Sequence, residues 1–412
     1  MANVSSTARP FAIARAEGGV TAPEGFRSSA LHCGIKVKPD ALDLLVLAGD
    51  GAVPTAGLFT TNLVQAAPVL VSKSHLAKSH GLAHAVVVNS GCANACTGPQ
   101  GFDDARQMTR EVADSLGCSS EQVLVASTGV IGVNLVMSKV VAGIHSAAVS
   151  LARGRGSDAA RAIMTTDPFP KEHAVVVQTD RGSFVVGGTA KGSGMIEPNM
   201  ATMLGFLTTD AQVPTAMLQR ALVESARDTF NAITVDGECS TNDTLIAMAS
   251  GASGVSIDEE SYPALFDAFL AVSRELAIGI VRGGEGATKL LTVTVHDARS
   301  RDEASQVART IANSPLVKTA VHGADPNWGR ILAAAGRSGV RFDPARARVR
   351  VGGILLFEHG LPHDDAAPLA AEHLKGADVR IDVSLGSGGS SATIWGCDLS
   401  AEYVRINGEY RT

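Results

Sequence analysis

Three observations predict an α/β protein. Strand-like and helix-like segments alternate along the chain, with no internal repeat, low-complexity tract or charged tail. Of 412 residues, 45% are hydrophobic and only 18% charged, a balance that supports a large core and excludes disorder as the main state. Glycine is abundant, at 43 residues, while aromatics make up 4%. A core of small aliphatic residues and many glycines suits tightly packed sheets and close backbone approaches. Pattern alone does not separate a doubly wound sheet from sheets sandwiched between helices. At ~150 residues per domain the length suggests two or three domains, or one large composite fold.

The elements follow from local pattern. Residues 41–49, 84–89 and 122–127 are apolar runs that read as buried strands. Phe102, Ala105, Met108, Val112 and Leu116 recur at spacings of three and four. They predict an amphipathic helix over 102–116, stopped by Gly117. A second helix, rich in Val and Ala, is expected over 137–153. Residues 173–179 and 183–190 predict a hairpin around Thr179-Asp180-Arg181-Gly182. The stretch 191–201 is turn-forming, and 202–208 resumes a strand pattern. Farther on, helices are expected at 214–228, 260–281, 301–313 and 327–336. Strands are expected at 231–236, 244–249, 289–296, 347–355 and 378–385.

Charge and motifs exclude several functions. The net charge is −6 and the pI about 6.0, so there is no basic excess to grip a nucleic-acid backbone. No run approaches the roughly 18 apolar residues of a membrane span. The N-terminus has Arg9 and Arg15 but no apolar stretch behind them, so no secretory signal is read and a cytoplasmic protein is expected. The six cysteines are dispersed. Cys92 and Cys96 stand too far apart for a zinc knuckle and lack a second Cys/His pair, so no metal site is expected. Gly-Lys never occurs, which removes the Walker-type phosphate loop, and no glycine cluster completes G-x-G-x-x-G. There is no H-E-x-x-H and no G-x-S-x-G.

Four polar, Gly-rich segments fall at the ends of expected strands, where α/β proteins place their sites. They are ASTGVIG at 126–132, MTTDP at 164–168, KGSGMIEPNMAT at 191–202 and RGGEGATK at 282–289. Each alone reads as a turn or a cap. Together with NSGCANACTG at 89–98, DGECSTNDT at 236–244, DPNWGR at 325–330 and YVRINGEYRT at 403–412, they form an ordered set. This set resembles the ornithine acetyltransferase family over nearly the whole chain. KGSGMIEPNMATMLGFL at 191–207 is similar to the family's nucleophile signature.

The resemblance implies a precursor that cleaves itself between Ala201 and Thr202. Fragments 1–201 and 202–412 then fold as one unit, a layered α/β sandwich of β-sheets between helices of the self-cleaving N-terminal-nucleophile type. It implies Thr202 as nucleophile. A Thr hydroxyl holds its proton tightly, but the α-amine released by cleavage, with a reference pKa near 7.7–8.0, can act as its base. Thr128 and Gly129 correspond to an oxyanion-hole pair, a hydroxyl and a backbone N–H. Thr165, Lys191, Thr202, Glu285, Asn407 and Thr412 correspond to substrate-binding positions. Lys191 suits a carboxylate, Glu285 an amino group, and the others offer hydrogen bonds.

The activity implied is acetyl transfer from N2-acetyl-ornithine to glutamate in arginine biosynthesis, with no cofactor. Many family members also accept acetyl-CoA as donor, and the sequence leaves that choice open. Two copies of each fragment are expected to assemble. The chain departs from the family at Glu197, Pro168 and Cys92 without losing a matched site residue. Glu197 is read as a solvated loop charge. Three readings compete: a self-cleaving aminopeptidase or amidohydrolase of the related fold, with water as acceptor; a binding protein that keeps the fold without activity, against which the intact Thr128, Lys191, Thr202 and Glu285 weigh; and an acetyltransferase paralogue of secondary metabolism.

Overall fold

A computed structural model of the chain describes residues 11–197 and 203–409. Among these, nine strands form the larger sheet. In chain order they are β1 (Phe11–Ala16), β2 (Phe26–Leu31), β3 (Leu44–Phe59), β4 (Leu82–Cys92), β5 (Val123–Val130), β6 (Lys171–Thr179), β7 (Gly182–Lys191), β8 (Leu204–Thr209) and β9 (Thr244–Ala249). The order across the sheet is β1-β6-β7-β8-β9-β3-β4-β5, with β2 on β3.

The long β3 makes one sheet act as two. Its first half pairs with β2 and β4, its second half with β9, and the register shifts between Ala48 and Val53. The two halves fold face to face. Val86 and Leu124 from one half pack with Leu204, Phe206 and Ile246 from the other in a buried inner layer. The neighbours Val87 and Val125 point the opposite way, because side chains alternate along a strand. They are covered by the helices Ala67–Lys78, Gly98–Leu116 and Met137–Val149. On the other outer face, helices Thr215–Arg227 and Tyr262–Arg282 cover Val175, Phe184, Val186, Leu207 and Leu245. Helix, sheet, sheet, helix is the layered sandwich that the family resemblance implied.

A second sheet holds β10 (Leu290–Ala298), β11 (Arg348–Val351), β12 (Ile354–Glu358), β13 (Leu361–Pro362), β14 (Asp378–Ser384) and β15 (Ser390–Cys397), in the order β13-β12-β11-β14-β10-β15. Helices Arg301–Ala312, Trp328–Gly336 and Ala367–Leu374 cover one face of it. Trp395 packs against the core of this lobe and against that of the sandwich.

The expected elements correspond closely, with informative exceptions. Residues 231–236 are not a strand. Only an isolated bridge joins Ile233 to Trp395, and a short helical turn occupies Phe230–Ala232. The apolar alternation there reflects Ile233 and Val235 anchoring an irregular segment in the core. The run 347–355 is two strands, because Gly352 and Gly353 at φ 61° and 83° turn the chain back as a hairpin. β15 was not anticipated, since it starts in a Gly/Ser-rich stretch that reads as a turn.

Candidate active site

A cleft of about 150 Å³ opens where β5, β7, β8 and β9 meet the loop after helix Tyr262–Arg282. Among its walls are Thr128, Gly129, Thr165, Lys191, Glu285 and Asn407. Five segments far apart in sequence thus converge on one space. Ala201, Thr202 and Thr412 lie outside the described residues. Met203, which follows Thr202 in the chain, also lines the cleft.

Thr128 and Gly129 stand at the end of β5, where the parallel pairing with β4 slips at Gly91–Cys92. Gly129 has φ 131°, and a Cβ there would strike the backbone of Gly91 and Cys92. Only glycine satisfies both conditions. The strand end is fixed from the side by Asn242, whose Nδ2 donates to the carbonyls of Ala93 (2.6 Å) and Ser127 (2.8 Å). Thr241 Oγ1 donates to Asn242 Oδ1 at 2.6 Å and sets the orientation of that amide.

Lys191 ends β7 opposite Leu204 of β8 and is 8% exposed. Its Nζ donates to Thr128 Oγ1 at 3.3 Å. Beside it lies Asp167, paired with Lys171 at 2.6 Å and bonded to the N–H groups of Thr165 (3.0 Å) and Gly192 (2.8 Å). Burial pushes the Asp167 carboxyl up, but the charges of Lys191 and Lys171 outweigh it and hold the group down at about 2.

Glu285 is 7% exposed, and its Oε2 accepts from Asn407 Nδ2 at 2.8 Å. The carboxylate approaches Gly194 so closely that a Cβ there would overlap it. Glu285 N donates to Ser193 O at 2.9 Å, and Ser193 Oγ to Gly283 O at 2.7 Å. Asp236 takes the N–H groups of Met195 (2.7 Å) and Ile196 (2.8 Å), and Tyr403 Oη donates to it at 3.2 Å. The segment 192–196 before the expected cut is therefore clamped from several sides.

Asp243 begins the turn into β9 and lines the cleft. Its Oδ2 has no hydrogen-bond partner among the described residues. Burial raises this carboxyl well above the usual carboxylate range, against the opposing pull of the Ser240 and Thr60 hydroxyls and Lys191.

Glu197 is not a solvated loop charge. It bonds to Asn313 Nδ2, accepts from Thr234 Oγ1 at 3.4 Å and lies 3.9 Å from Arg309 Nη1. The sequence reading assigned no role to Asp167, Asp236, Asn242, Asp243 or Tyr403. All five stand inside the motif blocks quoted above, which was the available signal. Among the described residues no group of three His, Cys, Asp or Glu could hold a metal. No helix there is long and apolar enough to cross a membrane.

The chemistry on offer is acyl transfer to and from an amino acid. Thr128 and Gly129 line a cleft that the Lys191 ammonium and the Glu285 carboxylate also line. The chain is 48% identical over 401 residues to the arginine biosynthesis bifunctional protein ArgJ of Symbiobacterium thermophilum, covering 96% of this chain and 99% of that one. The protein of the same name from Parasynechococcus marenigrum is 45% identical over 395 residues, covering 96% of each. Two solved structures are also similar. The argJ protein of Bacillus halodurans is 43% identical, covering 51% of this chain and all of that one, with a TM-score of 0.49. An ornithine acetyltransferase from Mycobacterium tuberculosis, complexed with ornithine, is 40% identical, covering 46% and 100%, with a TM-score of 0.42. The ArgJ family model matches residues 27–412, and the chain belongs to the ArgJ family.

Proposed function

We propose that this ArgJ-family enzyme of arginine biosynthesis moves an acetyl group from N2-acetyl-ornithine to glutamate through an acetyl ester on Thr202. The observation that carries this reading is the convergence of Thr128, Gly129, Lys191 and Glu285 on one cleft beside Met203. The Thr202 hydroxyl attacks the acetyl carbonyl while its α-amine takes the hydroxyl proton. The Thr128 hydroxyl and Gly129 N–H hold the developing oxyanion. The leaving amine takes a proton as the tetrahedral state collapses, and ornithine departs. Glutamate enters, and its amine takes the acetyl group by the reverse steps. Lys191 receives a substrate carboxylate and Glu285 a substrate ammonium, while Thr165, Asn407 and Thr412 supply hydrogen bonds.

In the same reading the chain matures by cleavage between Ala201 and Thr202. Fragments 1–201 and 202–412 stay together, since β7 of the first pairs with β8 of the second along six registered residue pairs. Two copies of each fragment assemble in the cytoplasm, and acetyl-CoA serves as a second donor with no bound cofactor. Intact-mass measurement and an acetyl-transfer assay test the proposal together. Wild type should give two fragments and convert acetyl-ornithine plus glutamate to ornithine plus acetyl-glutamate. Thr202→Ala should stay one chain near 42.3 kDa with no transfer. Release of acetate in place of acetyl-glutamate would show a hydrolase instead.

A further inference from the structure

Asp167 lies under the cleft with its side chain fully buried, and it gathers more than one group of the site. Its Oδ1 accepts from Lys171 Nζ (2.6 Å) and Gly192 N (2.8 Å), and its Oδ2 accepts from Thr165 N (3.0 Å). That same Oδ2 is 4.0 Å from Lys191 Nζ. An ordinary buried ion pair needs one cation, and Lys171 supplies it. The second ammonium is repelled by the first and is held by its attraction to the shared carboxylate. Two buried cations on one anion leave a net positive charge beside the cleft. Lys36, which interacts with Asp43, Asp167 and Lys191, adds to that field, and Asp243 faces Lys191 from the β9 side.

Lys191 Nζ spends a proton on Thr128 Oγ1. The hydroxyl is thereby an acceptor toward the lysine, and its own proton is left for another partner. The cleft that Thr128 lines is where an oxyanion would meet it. A hydroxyl that accepts from an ammonium becomes a stronger donor, because hydrogen bonds in a chain polarise one another.

We propose that Asp167 is a positioning residue for acetyl transfer: it fixes Lys191 against Thr128 so that the ammonium polarises the hydroxyl that stabilises the oxyanion. The inference rests on Thr128 acting as an oxyanion donor, as in the function proposed above. It predicts that Asp167 acts through Thr128, which a purely structural ion pair would not do.

A double-mutant cycle reads this directly. Asp167→Asn, Thr128→Ala and the double variant are compared with wild type in acetyl-ornithine/glutamate exchange, with kcat expressed per cleaved chain counted by intact mass. Asp167→Asn should lower kcat about tenfold with Thr128 present, and less than about twofold in the Thr128→Ala background. Equal fold-losses in the two backgrounds overturn the proposal. If Asp167→Asn does not melt as a folded protein, Asp167→Glu, which keeps the charge but moves it, goes through the same cycle with the same criterion. A wild type that transfers no acetyl group sinks the functional reading and this inference together. A transferring wild type with additive losses sinks this inference alone.

Discussion

Asp236 and Met195 are joined by a 2.7 Å hydrogen bond from the Met195 N–H to the carboxylate, and Met195 sits at φ 57°. A non-glycine residue in the left-handed region costs of order 1–3 kcal/mol and persists only when its surroundings impose it. Asp236 imposes it, taking the next N–H as well, from Ile196 at 2.8 Å. Asp236→Ala should release the segment and slow cleavage at Ala201–Thr202 at least about tenfold, given ~1.5–3 kcal/mol for each bond to a charged group. A time course of intact mass after synthesis checks it. Unchanged cleavage would mean the clamp has no part in maturation.

Thr128→Ala removes one of the two oxyanion donors proposed above for acetyl transfer. Transfer by the cleaved enzyme should fall about 10²- to 10³-fold in kcat, with little change in melting temperature. A normal turnover number would remove Thr128 from the mechanism.

Glu197 ties the segment before the proposed cut to Asn313, Thr234 and Arg309. Glu197→Ala should cost about 1–2 kcal/mol of stability by stranding these partners. Once cleaved, the variant should turn over like wild type, because Glu197 is not among the residues lining the cleft. Chemical denaturation and a kcat measurement separate the two effects. A stability equal to wild type would mean these contacts contribute nothing.

Asp243 should give the protein a distinctive pH dependence. Burial raises its folded carboxyl well above the usual range, while in the unfolded chain it ionises near ~3.9. Above that value the unfolded state gains by ionising and the folded state does not. The group therefore subtracts stability increasingly as pH rises, until it ionises in the folded protein too. Asp243→Asn lacks this contribution. Melting curves from pH 5 to ~9 should show the variant gaining on wild type toward alkaline pH, by about 2 °C or more. Parallel curves would mean that Asp243 is ionised in the fold across this range.

Much of this was legible in the chain itself. The continuous apolar run in β4 reports a strand buried on both faces, and three-to-four spacing in Gly98–Leu116 reports the buried face of a helix; both depend on local sequence alone. Where an irregular segment borrows its partners from far away, the pattern misleads. Ile233 and Val235 alternate like a strand, yet they belong to a turn that delivers Asp236 to Met195. The residues implied by family resemblance, Thr128, Gly129, Thr165, Lys191, Glu285 and Asn407, do share one cleft.

By itself the sequence determined the α/β class, the ordered motif blocks and the chemical types in them: a hydroxyl with a glycine, a lysine, a carboxylate, an amide. Only the tertiary structure decided what each charge meets. Asp167 meets Lys171 and Lys191 where β6 pairs with β7 and Lys171 stands opposite Ala190, and Lys191 reaches Thr128 of β5 across a gap that no spacing along the chain reports. Glu197 looks like a loop charge until a helix from the second lobe brings Asn313 and Arg309 beside it. Coulomb energy and desolvation depend on distance and burial through space, and neither quantity can be read from position along the chain.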